Sequence, residues 1–130
     1  MFKVLTALSL ACTLSLGRAA DDEFDKSVAA LRAVGGEGQG NLAAGQAMQR
    51  LAKSRAVKLP ALLSAMDGAN PFAVNYIRGA VDVIVGNTLA NGGQLPMVEL
   101  GEFLLKKSHD TKPRALAFDL IRRVDADAAQ

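Results

Sequence analysis

Ser108, His109 and Asp110 stand next to one another and supply the residue types of a nucleophile, a base and an orienting acid. A working relay needs the hydroxyl, imidazole and carboxylate hydrogen-bonded in line, and three consecutive side chains diverge instead. The run reads as a helix end, with His109 near the carbonyl pole of the dipole. The chain holds one His, one Cys and one Tyr, so His109 and Asp110 have no nearby nitrogen or sulfur ligand with which to hold a metal. Gly38-x-Gly40-x-x-Ala43 matches a loose dinucleotide fingerprint. That fingerprint also needs a preceding strand and an acid about 20 residues on, and Lys58-Leu59-Pro60 stands at that distance. The glycines read as a flexible linker. Asp21-Asp22-Glu23 and Asp25 lack the spacing of an EF-hand loop and suit the start of a helix. The expectation is therefore no catalytic residue, no cofactor, no metal site and no evident small-molecule substrate.

The amino-terminal segment bears on where the protein works. Met1-Phe2-Lys3 is a short basic start, Val4 to Leu16 carries no charge, and Gly17-Arg18-Ala19-Ala20 supplies small residues. That order is the order of a secretory signal peptide, and the run falls short of the roughly 20 residues of a membrane span. The expectation is an exported protein, periplasmic or extracellular, cleaved near Ala19/Ala20 and with no membrane association once the signal is gone. Lys3 and Arg18 leave with the signal, so the whole chain's net charge of +2 falls to 13 basic against 13 acidic residues. No net positive field remains to attract phosphates, which argues against a nucleic-acid partner. Cys12 also leaves, which excludes disulfides and thiol chemistry from the processed chain.

What remains must fold on its apolar residues. The 130-residue chain is 50% hydrophobic and 22% charged, with 5% aromatics, no Trp and 23 Ala. That composition favours closely packed helices. Each of the four prolines precedes an apolar run, where a helix tolerates proline best. The expected helices are Phe24–Val34, Asn41–Ser54, Leu59–Met66, Pro71–Ala90, Pro96–Ser108 and Pro113–Val124, and no strand pattern appears between them.

Helix faces show what these elements must position. On 41–54, Ala44, Ala47, Met48, Leu51 and Ala52 form one stripe opposite Gln46, Gln49, Arg50 and Lys53, so one side is covered. The polar side is expected to cap the amino-terminal end. On 71–90, Asn75, Arg78 and Asp82 form one narrow polar line on an otherwise apolar helix. Such a helix is expected between neighbours, with Arg78 and Asp82 spaced for an ion pair. The line reads either as a structural polar ladder or as the lining of a partner-binding groove. On 113–124, Leu116, Leu120 and Val124 belong to an apolar arc of about 200°. That arc is wider than one neighbour covers, so these three are expected to form an exposed apolar docking face.

A weak repeat runs through the chain. Leu63 to Asp67 precedes Pro71 as Leu105 to Asp110 precedes Pro113, with the prolines 42 residues apart, a period in the range of helix-pair solenoids. Asp110-Thr-Lys-Pro113-Arg114-Ala-Leu-Ala117-Phe-Asp-Leu120-Ile121 resembles the start of the second helix of a HEAT repeat. The stretches Gly40-Asn41…Leu59-Pro60-Ala-Leu-Leu63, Met66-Asp67…Pro71…Asn75-Tyr-Ile-Arg78 and Arg114…Arg123-Val124-Asp125 resemble the amino-terminal part of secreted bacterial HEAT-like repeat proteins, over about residues 38–127. In the earlier copy Asn75 and Arg78 do not keep the Asp-to-Arg spacing. The resemblance implies a scaffold and interaction class and transfers no catalytic residue. The expected organisation is a signal peptide at 1–20, a first helix and glycine-rich linker at 21–40, and a HEAT-like region at 41–130. The expected fold is all-α, a short stack of antiparallel helix pairs. The expected function is a non-catalytic exported protein–protein interaction module, binding an unidentified protein or itself. The alternative is a structural capping region of a larger exported repeat protein or assembly.

Overall fold

The computed structural model describes residues 8–128, so the basic start and the first apolar residues lie outside it. Among the described residues there are six α-helices and no strand: α1 Leu8–Arg32, α2 Asn41–Leu51, α3 Leu59–Ser64, α4 Pro71–Ala90, α5 Met97–Leu105 and α6 Thr111–Ala128, with a single 3-10 turn at Ala56–Lys58. The boundaries follow local chemistry. The Asn70 side chain accepts a hydrogen bond from the Ala73 amide at 2.9 Å, with Pro71 opening the helix behind it, the cap-then-proline order that suits a helix start. Helix α2 ends at Leu51 rather than Ser54, and its chain continues through a turn into the 3-10 segment. Helix α1 begins well before Phe24 and runs unbroken through the expected cleavage point.

The glycine-rich stretch is a tight turn. Gly38 and Gly40 both take left-handed φ values near 79°, and Gly40 directly precedes α2. A Cβ on Gly40 would meet the Ala33 carbonyl oxygen at 3.3 Å, so the turn brings α2 back against the end of α1 where only glycine fits. Successive helices then pack as pairs, α1 with α2, α3 with α4 and α5 with α6. The pairs join because α4 also packs on α1 and α2, while α3 reaches α5 and α6.

One core runs through all three pairs. It takes Phe24, Leu31 and Val34 from α1 and its end, Ala44, Ala47 and Leu51 from α2, and Leu59, Leu62 and Leu63 from α3. Ile77, Ala80, Val81, Ile84 and Val85 come from α4, Leu100 and Phe103 from α5, and Leu116, Ala117 and Leu120 from α6. Ser27 is the buried polar residue of this core, and its hydroxyl accepts a hydrogen bond from Arg50 Nε at 3.1 Å. The α2 stripe packs inward as its periodicity predicts, and Gln46, Gln49, Arg50 and Lys53 face solvent.

Helix α6 corrects the expected docking face. Leu116 and Leu120 are 8% and 3% exposed and belong to the core, and Val124 is half-buried against it. Most of the 200° arc is covered because α6 touches both α5 and α3, and Phe118 at its edge stays outside. The large apolar residues left outside are Phe118 on α6, Val98 and Leu105 on α5, Phe72 and Val83 on α4, and Leu16, Leu42 and Val57 elsewhere. Leu120→Ala is therefore expected to lower the unfolding free energy by about 3 kcal/mol, against about 1 kcal/mol or less for Phe118→Ala. Urea denaturation of the two variants checks the difference, and equal losses would contradict this packing.

Candidate functional site

The polar chemistry of the chain gathers at the turn between α3 and α4. Asp67 Oδ2 lies 2.6 Å from His109 Nδ1, and Asp67 Oδ1 accepts from the Asp110 amide at 2.8 Å. Asp110 returns the contact, its Oδ2 accepting from the Gly68 amide at 2.8 Å. The turns that precede Pro71 and Pro113 are thus bonded to each other in both directions. On the other side, Arg32 at the end of α1 donates to the carbonyls of Ala65 and Asp67, and Asn70 Nδ2 donates to the Val34 carbonyl at 2.8 Å. Phe103 stacks on the His109 ring with centroids 3.9 Å apart, which fixes the imidazole plane toward Asp67.

Protonation follows from these contacts. Partial burial alone would raise the Asp67 carboxyl. The hydrogen bonds from His109 and the Asp110 amide, with the charges of His109 and Arg32, outweigh burial and hold it below the ordinary carboxylate value. Asp67 is ionised at neutral pH and accepts, so Nδ1 of His109 carries the proton and donates. Ser108, His109 and Asp110 do not form a relay. They lie beyond the end of α5, and the acid that His109 meets is Asp67. Among the described residues no hydroxyl bonds the His109 ring, and no three His, Cys, Asp or Glu side chains gather as a metal site would require. The arrangement can fasten turns together.

The second feature is a cleft of about 270 Å³ between α4 and α6. Met66, Val74 and Leu116 give it apolar lining, while Asn75, Arg78, Lys112 and Asp119 supply polar groups. Two residues of the expected polar line, Asn75 and Arg78, line this cleft opposite α6 residues. Asp82 does not line the cleft. All three are exposed, so the ladder buried between helices does not form. The ion pairs among the described residues are Arg50–Glu23, Lys58–Asp21 and His109–Asp67, and Arg78 and Asp82 are not so paired. The reason is rotational: α4 turns Ile77, Ala80, Val81 and Ile84 toward its neighbours and leaves the opposite side open.

A second depression, of about 540 Å³, separates α1 from the 50–58 segment. Two of its four lining cations, Lys58 and Arg50, are occupied. Lys58 Nζ pairs with Asp21 at 2.5 Å and lies 5.1 Å from the Phe24 ring centroid, and Arg50 bonds Ser27 and reaches Glu23 at 4.0 Å.

Compared with known proteins, the chain matches no family model, no curated sequence and no solved structure at a significant level.

Sequence reading missed the Asp67–His109 pair. The 42-residue spacing of the two proline-led helices was the available signal, because it places Asp67 and Asp110 in corresponding turns. Asp67→Ala strands the His109 N–H and the Asp110 amide. It is expected to cost about 2 kcal/mol at pH 7, since bonds to a charged acceptor run at about 1.5–3 kcal/mol each before relaxation, which lowers Tm by about 10 °C. A depressed carboxylate stabilises the fold above the unfolded-state value near about 4 and ceases to do so as pH falls through the lower folded-state value. The gap between the native chain and Asp67→Ala should accordingly close below about pH 4. Thermal melts from pH 7 to about pH 3 test this, and a gap that persists undiminished in acid would rule it out.

Proposed function

We propose that this chain is an exported, non-catalytic interaction module whose helix pairs form a short HEAT-like stack. The observation that carries the reading is the reciprocal bonding of two corresponding turns, Asp67 to the Asp110 amide and Asp110 to the Gly68 amide. In a stack of repeats each unit relies on its neighbour to bury its apolar side, and bonding between equivalent turns is consistent with such a stack.

Two further features support the reading. Residues 16–23 are exposed, and Phe24 is the first described residue of the core. Cleavage near Ala19/Ala20 would remove none of the described core residues. It would also place Asp21, Asp22 and Glu23 in the first turn of the shortened α1, where negative charge favours the helix dipole. No helix among the described residues is long and apolar enough to cross a membrane. In the cleft between α4 and α6, an apolar floor with a rim of Asn75, Arg78, Lys112 and Asp119 suits side chains of a protein partner.

Both halves of the proposal are testable. Expressed in a bacterium, the chain should be recovered from the periplasm or medium beginning at Ala20 or Asp21, by amino-terminal sequencing. Recovery of an intact chain from the cytoplasm would refute export. Immobilised chain should retain a protein from a periplasmic extract, and Arg78→Glu with Lys112→Glu should abolish retention. Both residues are exposed, so Tm should move by no more than a few degrees, roughly 0.5 kcal/mol. Retention unchanged by the double substitution would sink the assignment of the cleft.

A further inference from the structure

A further cleft, of about 630 Å³, opens between the 52–57 segment and the end of α4. Its lining residues include no carboxylate. One wall supplies Lys53 and Arg55, both exposed, and among the described residues neither is paired with an acid. The cause is visible in the sequence. Residues 38–66 hold Arg50, Lys53, Arg55 and Lys58 and not one acid. Arg50 and Lys58 pair with Glu23 and Asp21 of α1, which leaves the other two.

The opposite wall is the last turn of α4 and the turn after it, with Asn87, Thr88, Asn91 and Gln94. Three of these use a donor within the protein. Asn87 Nδ2 bonds the Ala52 carbonyl at 3.2 Å and so ties the two walls together. Thr88 Oγ1 bonds the Ile84 carbonyl at 2.7 Å, and Asn91 Nδ2 bonds the Asn87 carbonyl at 2.8 Å. The carboxamide oxygens of Asn87 and Asn91 and the lone pairs of Thr88 are left as acceptors. Gly93 holds this turn against α4. Its amide donates to the Thr88 carbonyl at 2.8 Å, and a Cβ there would stand 3.0 Å from the same oxygen.

We propose that this cleft binds a small hydroxylated anion, a sugar or polyol that carries one carboxylate or phosphate. Its charged group bonds Lys53 and Arg55, and its hydroxyls donate to the oxygens of Asn87, Thr88 and Asn91. The two walls together set the class. A bare inorganic anion meets the cations but has nothing to donate at the α4 end, which is also the negative pole of that helix. A neutral sugar satisfies the acceptors and leaves both cations unmet. A cation finds no carboxylate. The volume suits one ligand of this size. The site shares no residue with the cleft between α4 and α6, so the two readings stand or fall separately.

Isothermal titration calorimetry of the full chain at low ionic strength tests the proposal, with glucuronate and glycerol phosphate as the hydroxylated anions and with glucose and inorganic phosphate as contrasts. At least one hydroxylated anion is expected to bind with a Kd below about 1 mM, and the tighter of the two identifies the preferred charged group. Glucose and inorganic phosphate should each bind at least about tenfold more weakly, because each makes only half of the contacts. Lys53→Gln combined with Arg55→Gln should weaken binding at least about tenfold, and Gln94→Glu, which brings a negative charge to the cleft, should do the same. All three residues are exposed, so circular dichroism and Tm should be retained. Failure of both hydroxylated anions to bind below about 1 mM overturns the proposal, as does equally tight binding of glucose or of inorganic phosphate. Lys53 and Arg55 also border the depression beside α1, whereas Gln94 does not. Binding that is lost with the double substitution yet unchanged by Gln94→Glu would place the ligand beside α1 and overturn the assignment of this cleft.

Discussion

The carboxylate of Asp67 stands where the three helix pairs meet. Its own oxygens bind the turn before α6, through His109 and the Asp110 amide, and the carbonyls around it bind Arg32 from the end of α1. A turn between two helices leaves carbonyls and amides without intrahelical partners. Here the Gly68 amide and the Ala65 and Asp67 carbonyls are bonded by Asp110 and Arg32 from other segments, while the Met66, Asp67 and Ala69 amides bond locally. The arrangement converts a local requirement into a long-range one: segments 33 to 43 residues apart are bonded because each needs what the other has spare. Apolar burial supplies the drive to collapse, but it is non-directional. The bonds around Asp67 set how one pair sits on the next.

Helix α4 shows what this register does to a surface. It touches α1, α2 and α3, so three neighbours cover one side of it. The opposite side, with Phe72, Asn75, Arg78, Asp82 and Val83, is left to solvent. Half of the chain is apolar, and three short helix pairs do not enclose that much apolar surface. The excess appears at Phe72 and Val83 on α4 and at Val98 and Leu105 on α5.

The amino-terminal part of α1 stands outside this scheme. Residues 16–23 are exposed, and the pairing of Lys58 with Asp21 is the contact that lies nearest to the expected cleavage point. Two ion pairs on the surface contribute little individually, on the order of 1 kcal/mol or less. The described core, from Phe24 onward, draws nothing from them.

The sequence by itself determined the helical class, the position of α4 to the residue, and the inward stripe of α2. Asn70-Pro71 and the glycines at 38 and 40 act within three or four residues of the bonds they make, so their effect is legible in one dimension. The repeat of an acidic turn before a proline was legible too, though not that its two copies would bond. Only the tertiary structure decided which apolar residues are covered. Leu116 and Leu120 have the same character as Val98 and Leu105, yet the first two are core and the last two are surface. The partner of His109 was likewise out of reach, because it lies 42 residues away rather than beside it. Backbone signals are short-ranged, whereas burial depends on where a neighbouring helix is placed by contacts tens of residues distant.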